Sequence, residues 1–171
     1  FNFEIPDVTK KEHGETLGLD IGVKNVFTLS NGICSKRNNH GYDLDKINKV
    51  LSKKRKGSKA FLKTQQHRKN YINWSLNQIN LNEVKKIKIE NIKYLRFGNR
   101  TSRYLSHFTY AEIFNKLDSL SLSSGVQLEK VNPTYTSKRC SKCGWVRSKN
   151  RKGKQFKCEK CDFVADADLN A

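Results

Sequence analysis

Residues 135–171 read YTSKRCSKCGWVRSKNRKGKQFKCEKCDFVADADLNA. Two CxxC pairs, Cys140/Cys143 and Cys158/Cys161, run directly into an acidic step, Asp166-Ala167-Asp168. Each CxxC turn brings two sulfurs to one side, so the two pairs offer the four thiolates that a tetrahedral zinc ion takes. The 14 residues between Cys143 and Cys158 fall one short of the usual spacing of about 15–20 for this pattern. The segment between the pairs is basic and contains Gly153, which predicts a short hairpin, and Gly144 suits the tight turn that closes the first pair. Two disulfides are the alternative, but they need an oxidising compartment that nothing in the chain suggests. The stretch is read as a zinc ribbon. Trp145 and Phe156 are expected to form its minimal core, with stacking of Trp145 on a base as the other use of that ring.

Upstream of the ribbon, Leu17, Leu19 and Ile21 alternate with Gly18, Asp20 and Gly22. That period of two predicts a strand with one buried face and one carboxylate on the other. Val26–Ser30 predicts a second strand, Asn31-Gly32 a hairpin turn and Ile33-Cys34 the start of a third, with Cys34 inside the hairpin. Residues 84–90, VKKIKIE, alternate in the same way and end in Glu90, and residues 126–131, VQLEKV, predict another strand. Between these last two, Asn91–Arg103 is expected as a loop. Tyr104, Phe108, Ala111, Leu117 and Leu120 mark an amphipathic helix closed at Ser124-Gly125.

The chain has 171 residues, 34 Lys and Arg against 16 Asp and Glu, and a net charge of +18. Self-repulsion on that scale works against compaction, so it points to a polyanionic partner, nucleic acid in the first instance. Residues 42–80 read as two very basic helices broken near Gly57-Ser58. Lys53, Lys54, Arg55, Lys56, Lys59 and Arg68 there, with Lys138 and Arg139 before the first CxxC pair, are the expected phosphate contacts. His13, His40, His67 and His107 show no ligand spacing and are read as structural or surface residues. No run of 18 apolar residues and no leader pattern is present, so an intracellular, cytoplasmic and nucleoid-associated setting without a membrane is expected. The chain has no Met and ends at Ala171 just after the acidic step, so it is expected to be a piece of something longer.

If the strand ending in Glu90 lies beside the strand carrying Asp20, the two acids converge, and a helix starting at Asp168 can reach the same edge. Clustered carboxylates repel unless hard cations such as Mg²⁺ or Mn²⁺ lie between them. Two such ions about 4 Å apart activate a water and stabilise the leaving oxygen of a phosphodiester.

GLDIGVKN around Asp20, IKIENIKYL around Glu90 and TSKRCSKCG…CEKCDFVADADLNA resemble the three RuvC motifs and inserted zinc ribbon of TnpB (OrfB) transposon proteins, relatives of the type V CRISPR effector nucleases. The resemblance covers residues 16–171. It implies an α/β, RNase H-like (RuvC) mixed sheet flanked by helices with an inserted ribbon. It divides the chain into residues 1–134, the nuclease domain with its basic helical insertion at about 42–80, then the ribbon over 135–164 and the third motif over 165–171. By motif position Asp20, Glu90 and Asp168 match the catalytic acids, with Asp168 preferred to Asp166 because the family motif reads Asp-x-Asn-Ala. Cys140, Cys143, Cys158 and Cys161 match the zinc ligands. The implied activity is Mg²⁺- or Mn²⁺-dependent DNA cleavage guided by RNA in the full-length protein, with zinc structural. A non-catalytic DNA- or RNA-binding remnant and an unguided junction resolvase are the alternatives.

Overall fold

The structure is a computed structural model and describes residues 8–92 and 109–170. Its larger sheet has four strands, β1 (Glu15–Asp20), β2 (Thr28–Leu29), β3 (Val84–Glu90) and β4 (Gln127–Val131), in the order β2-β1-β3-β4. β1, β3 and β4 are parallel to one another, and β2 is antiparallel to β1. The apolar half of each alternating strand faces the core: Leu17, Leu19, Ile21, Ile87 and Ile89 are buried with Val26, Phe27 and Leu29.

Helices cover that face. α1 (Leu44–Ser52) and α2 (Lys59–Leu76) form a hairpin whose Leu44, Ile47, Tyr71, Ile72 and Leu76 enter the same core, and α3 (Tyr110–Ser123) adds Ile113 and Leu117. Both hairpin helices start on side-chain caps. Asp43 accepts from the Lys46 amide at 2.8 Å and Ser58 from the Phe61 amide at 3.2 Å, each satisfying a donor that the first turn leaves open. Gly57, at φ 82, makes the predicted break.

The smaller sheet is the ribbon: β5 (Arg151–Lys152), β6 (Gln155–Lys157) and β7 (Val164–Asp166), all antiparallel, leading without a break into α4 (Ala167–Asn170). Gly153, at φ 63, turns the expected hairpin.

Three local expectations change. The third antiparallel strand shrinks to a single bridge between Thr28 and Cys34, because Ile33 is 52% exposed and brings nothing to the core. Cys34 is accordingly exposed rather than interior. Arg68, expected on the nucleic-acid surface, is buried at 6% exposure on the inner side of α2, where its long stem packs as an apolar residue would. Tyr104, Phe108 and His107, and the loop from residue 93 on, lie outside the described residues.

Gly125 closes α3 at φ +67, and a Cβ there would lie 2.5 Å from the Thr9 carbonyl oxygen. Gly125→Ala is expected to cost about 3 kcal/mol through strain and displacement. At Gly57, where nothing lies within 4 Å, the same change costs about 1 kcal/mol. Equal melting shifts in the two variants would contradict the packing assigned to Gly125.

Candidate metal centres and the acidic cavity

The two cysteine turns repeat one geometry. In the first, the Gly144 amide donates to the Cys140 carbonyl at 2.8 Å and the Cys140 amide to the Trp145 carbonyl at 2.8 Å. In the second, Asp162 donates to the Cys158 carbonyl at 3.1 Å and the Cys158 amide to the Phe163 carbonyl at 2.9 Å. The residue after each second cysteine is left-handed, Gly144 at φ 73 and Asp162 at φ 52, and Asp is among the few non-glycine residues that adopt this conformation readily.

The four thiols close on one point, with all four Sγ atoms within 4.8 Å of one another. Cys140 to Cys161 measures 3.7 Å and Cys143 to Cys158 3.6 Å. Zn–S bonds of about 2.3 Å in a tetrahedron separate sulfurs by about 3.8 Å, whereas a disulfide needs about 2.05 Å. The donor set and spacing fit zinc better than paired disulfides. Phe156 and Ala167 are fully buried against Cys140 and Cys158. Trp145, expected in that core, is 39% exposed and lies beneath the Lys160 ammonium at 5.3 Å and the Arg147 guanidinium at 6.0 Å.

The second site grows from strand register. Leu19 pairs with Ile89 in the parallel β1–β3 ladder, so Asp20 and Glu90, one residue further on, end neighbouring strands on the face opposite the core. Glu90 in turn pairs with Val131 at the end of β4. A cavity of about 290 Å³ opens at these three carboxyl-terminal strand ends, lined among others by Asp20, Glu90, Val131, Lys88, Asp168 and Asn170. Open α/β sheets present ligands at this edge. Asp168 arrives from the ribbon side on α4, where the exposed Asp166 accepts from its amide at 2.8 Å. Asp166 is thus the cap and Asp168 the cavity residue.

The three acids share the cavity without closing into a single-ion cluster: among the described residues only the four cysteines place all their ligand atoms within 4.8 Å of one another. Asp168 instead holds an ion pair with Arg151 at 3.2 Å, a residue that sequence pattern did not single out because nothing in a hairpin arginine marks it. Burial first, then the charges of Glu90 and Asp168, push the Asp20 carboxyl up from 3.8 to about 6, against the pull of Arg151 and the Ile21 amide. A half-buried acid raised by desolvation and two like charges is what a cation would relieve, so the residues fit a hard divalent ion.

Lys138 and Arg139 are exposed and, with Tyr135, Arg147 and Lys149, line an open groove of about 670 Å³ on the ribbon. Thr136, one residue from Tyr135, lines the acidic cavity, so groove and cavity adjoin. Lys53, Arg55, Lys56 and Lys59 are exposed around the α1–α2 turn, and Lys54 is half-buried there.

Zinc analysis should return one ion per chain, bound by thiolate. Extraction should melt the ribbon sheet and expose Phe156, since such sites carry folding energy outright. A metal-free ribbon that loses structure only on thiol reduction would contradict this. For Asp20 the sign follows from the raised value: its neutral form favours the fold, an advantage complete below 3.8 and lost as pH rises through about 6. In buffer without added Mg²⁺, Asp20→Asn should therefore melt above the parent chain at pH 8, by up to about 3 kcal/mol. The gap should close towards pH 4. A gap that ignores pH would contradict the crowding of charge at Asp20.

A family model described as Cas12f1-like, TNB domain matches residues 110–171. The CRISPR-associated endodeoxyribonuclease Cas12f1 of an uncultured archaeon is 28% identical over 207 residues, covering 99% of this chain and 39% of its own length. The TnpB-like protein aq_aa05 of Aquifex aeolicus (strain VF5) is 35% identical over 77 residues, 43% of this chain and 25% of its own. The cryo-EM structure of the Cas12f1-sgRNA-target DNA complex superposes with a TM-score of 0.63 at 27% identity, covering 90% of this chain and 47% of that one. The chain spans less than half the length of these relatives. With a mixed sheet ending in acids and a four-cysteine ribbon, the chain is similar to TnpB-like proteins and to the Cas12f1 effectors.

Proposed function

We propose that the chain is the nuclease core of a TnpB-like, RNA-guided DNA endonuclease. Residues 1–134 form the RuvC-type body, 135–164 the ribbon and 165–171 the third motif. The observation that carries this reading is the convergence of Asp20, Glu90 and Asp168, distant in sequence, on one cavity at the carboxyl ends of parallel strands. Mg²⁺ or Mn²⁺ bound there supplies the charge that activates a water and stabilises the leaving oxygen of a phosphodiester.

The chain's own residues do the rest. Asp20, at the centre of the charge cluster, and Asp168 hold the site from its two sides, and Glu90 completes it and orients the water. Asp20, Glu90 and Asp168 would hold the ion or ions at the cavity they line. Arg151 neutralises Asp168 while no cation does. Lys138 and Arg139 hold the strand backbone in the groove that leads to the acids, and Lys53, Lys54, Arg55, Lys56 and Lys59 form a second phosphate-binding patch. Zinc is structural. DNA is the substrate, and guide RNA is a partner of the full-length protein.

The reading as a non-catalytic binder has one observation in its favour, the Arg151–Asp168 ion pair. Labelled single- and double-stranded DNA incubated with the chain, in Mg²⁺ or in chelator, separates the two. Cleavage should require the ion, and Asp20→Ala should lower it by at least about 10²-fold while leaving DNA affinity intact, because the basic surface is untouched. Loss of binding together with cutting, or binding with no cutting under any ion, would favour the binder.

A further inference from the structure

α4 carries Asp168 but is only four residues long, far below the length at which a helix holds itself together. Its position is therefore set by what it touches: it lies against β2 of the larger sheet as well as β6 and β7, but the hydrogen bonds that fasten its two ends are both on the ribbon side. Before Asp168, Ala167 is fully buried beside Cys140, Phe156 and Cys158, and its amide donates to the Lys154 carbonyl at 2.8 Å. After it, Asn170 is 5% exposed. Its Nδ2 donates to the Arg139 carbonyl at 2.8 Å, and its Oδ1 accepts from the Ser141 amide at 3.0 Å.

Those two backbone groups flank Cys140, the first thiol of the metal cluster. Only a carboxamide offers a donor and an acceptor in one short fork. Aspartate in its place would lack the donor, and leucine would lack both. A side chain spent wholly on the backbone around a metal ligand links that ligand to whatever the side chain's own element carries. Here the element carries Asp168.

We propose that Asn170 is a positioning residue for the acidic site: its carboxamide locks α4 to the first cysteine turn, so that zinc in the ribbon sets where Asp168 stands relative to Asp20 and Glu90. The inference rests on the reading of those three acids as a divalent-ion site. It makes the ribbon part of the acidic site's framework, because the knuckle that holds zinc and the helix that holds an acid share one pair of hydrogen bonds. Asn170 performs no chemistry itself.

The test measures Mn²⁺ binding by water-proton relaxation on the zinc-loaded chain, as wild type, Asn170→Ala and Asn170→Leu, with zinc content and melting followed alongside. Asn170→Leu keeps the number and branching of the side-chain heavy atoms and removes both hydrogen bonds. Both variants should keep one zinc per chain and wild-type DNA affinity without Mg²⁺, yet need about tenfold more Mn²⁺ for half-saturation, the usual cost of removing a group that orients a ligand. Zinc extraction from the wild type should cause a similar loss, and in Asn170→Ala it should add little more, since coupled changes do not add.

Unchanged half-saturation in both zinc-loaded variants overturns the proposal. So do losses from the variant and from zinc extraction that simply multiply. Wild-type Mn²⁺ binding that is indifferent to Asp20→Asn overturns the reading of the acids, and this inference with it.

Discussion

The parallel register of β1 on β3 is the constraint from which the site follows. Pairing Leu19 with Ile89 buries two apolar side chains on one face and, one residue later, leaves Asp20 and Glu90 side by side on the other. Slipping β3 by a single residue would turn Ile87 and Ile89 out to water and Glu90 into the core. The hydrophobic pattern that stabilises the sheet is therefore what brings two like charges together. The repulsion that results is held in place by burial of Leu17, Leu19, Ile87 and Ile89, each at most 6% exposed.

The third acid comes by a different physical route. Asp168 owes its place to the four-cysteine module: two cysteine turns, a buried Phe156 and an Ala167 that packs among the thiols. A sheet of 2- and 3-residue strands is too small to bury a self-sufficient core, and a four-thiol cluster spaced for zinc offers the staple that such a small unit needs. The site is assembled from a hydrophobic half and a cysteine-ribbon half, and within the second Arg151 pairs with Asp168. Positive charge elsewhere, on the groove of Tyr135, Lys138, Arg139 and Arg147, surrounds this acidic notch, a polarity suited to drawing a polyanion towards cations.

Much of this was legible in the chain itself. Alternation over residues 16–21 and 84–90 marked the strands and their polar faces, Gly57-Ser58 marked the break between α1 and α2, and CxxC spacing marked the ribbon, because each of these signals is local. What was not legible depends on tertiary surroundings. Arg68 shares its composition with the exposed lysines around it and differs only in lying on the inner side of α2. Cys34 and Trp145 look like core residues by type, but the short ribbon and the stunted hairpin offer them no interior. The pairing of Arg151 with Asp168 and the fork of Asn170 around Cys140 join residues 17 and more apart, and no sequence period reports such contacts. Nor does any sequence period show that Asp166 caps α4 while Asp168 lines the cavity.

Asp20, Glu90 and Asp168 are proposed to act together as a site for hard divalent cations. Anomalous diffraction from crystals of the zinc-loaded chain grown with Mn²⁺ tests it most directly. The account predicts manganese density between these three carboxylates, distinct from the zinc peak at the cysteines, with Arg151 drawn away from Asp168. Manganese absent from that cavity at saturating concentration, with the Arg151–Asp168 ion pair intact, would contradict it.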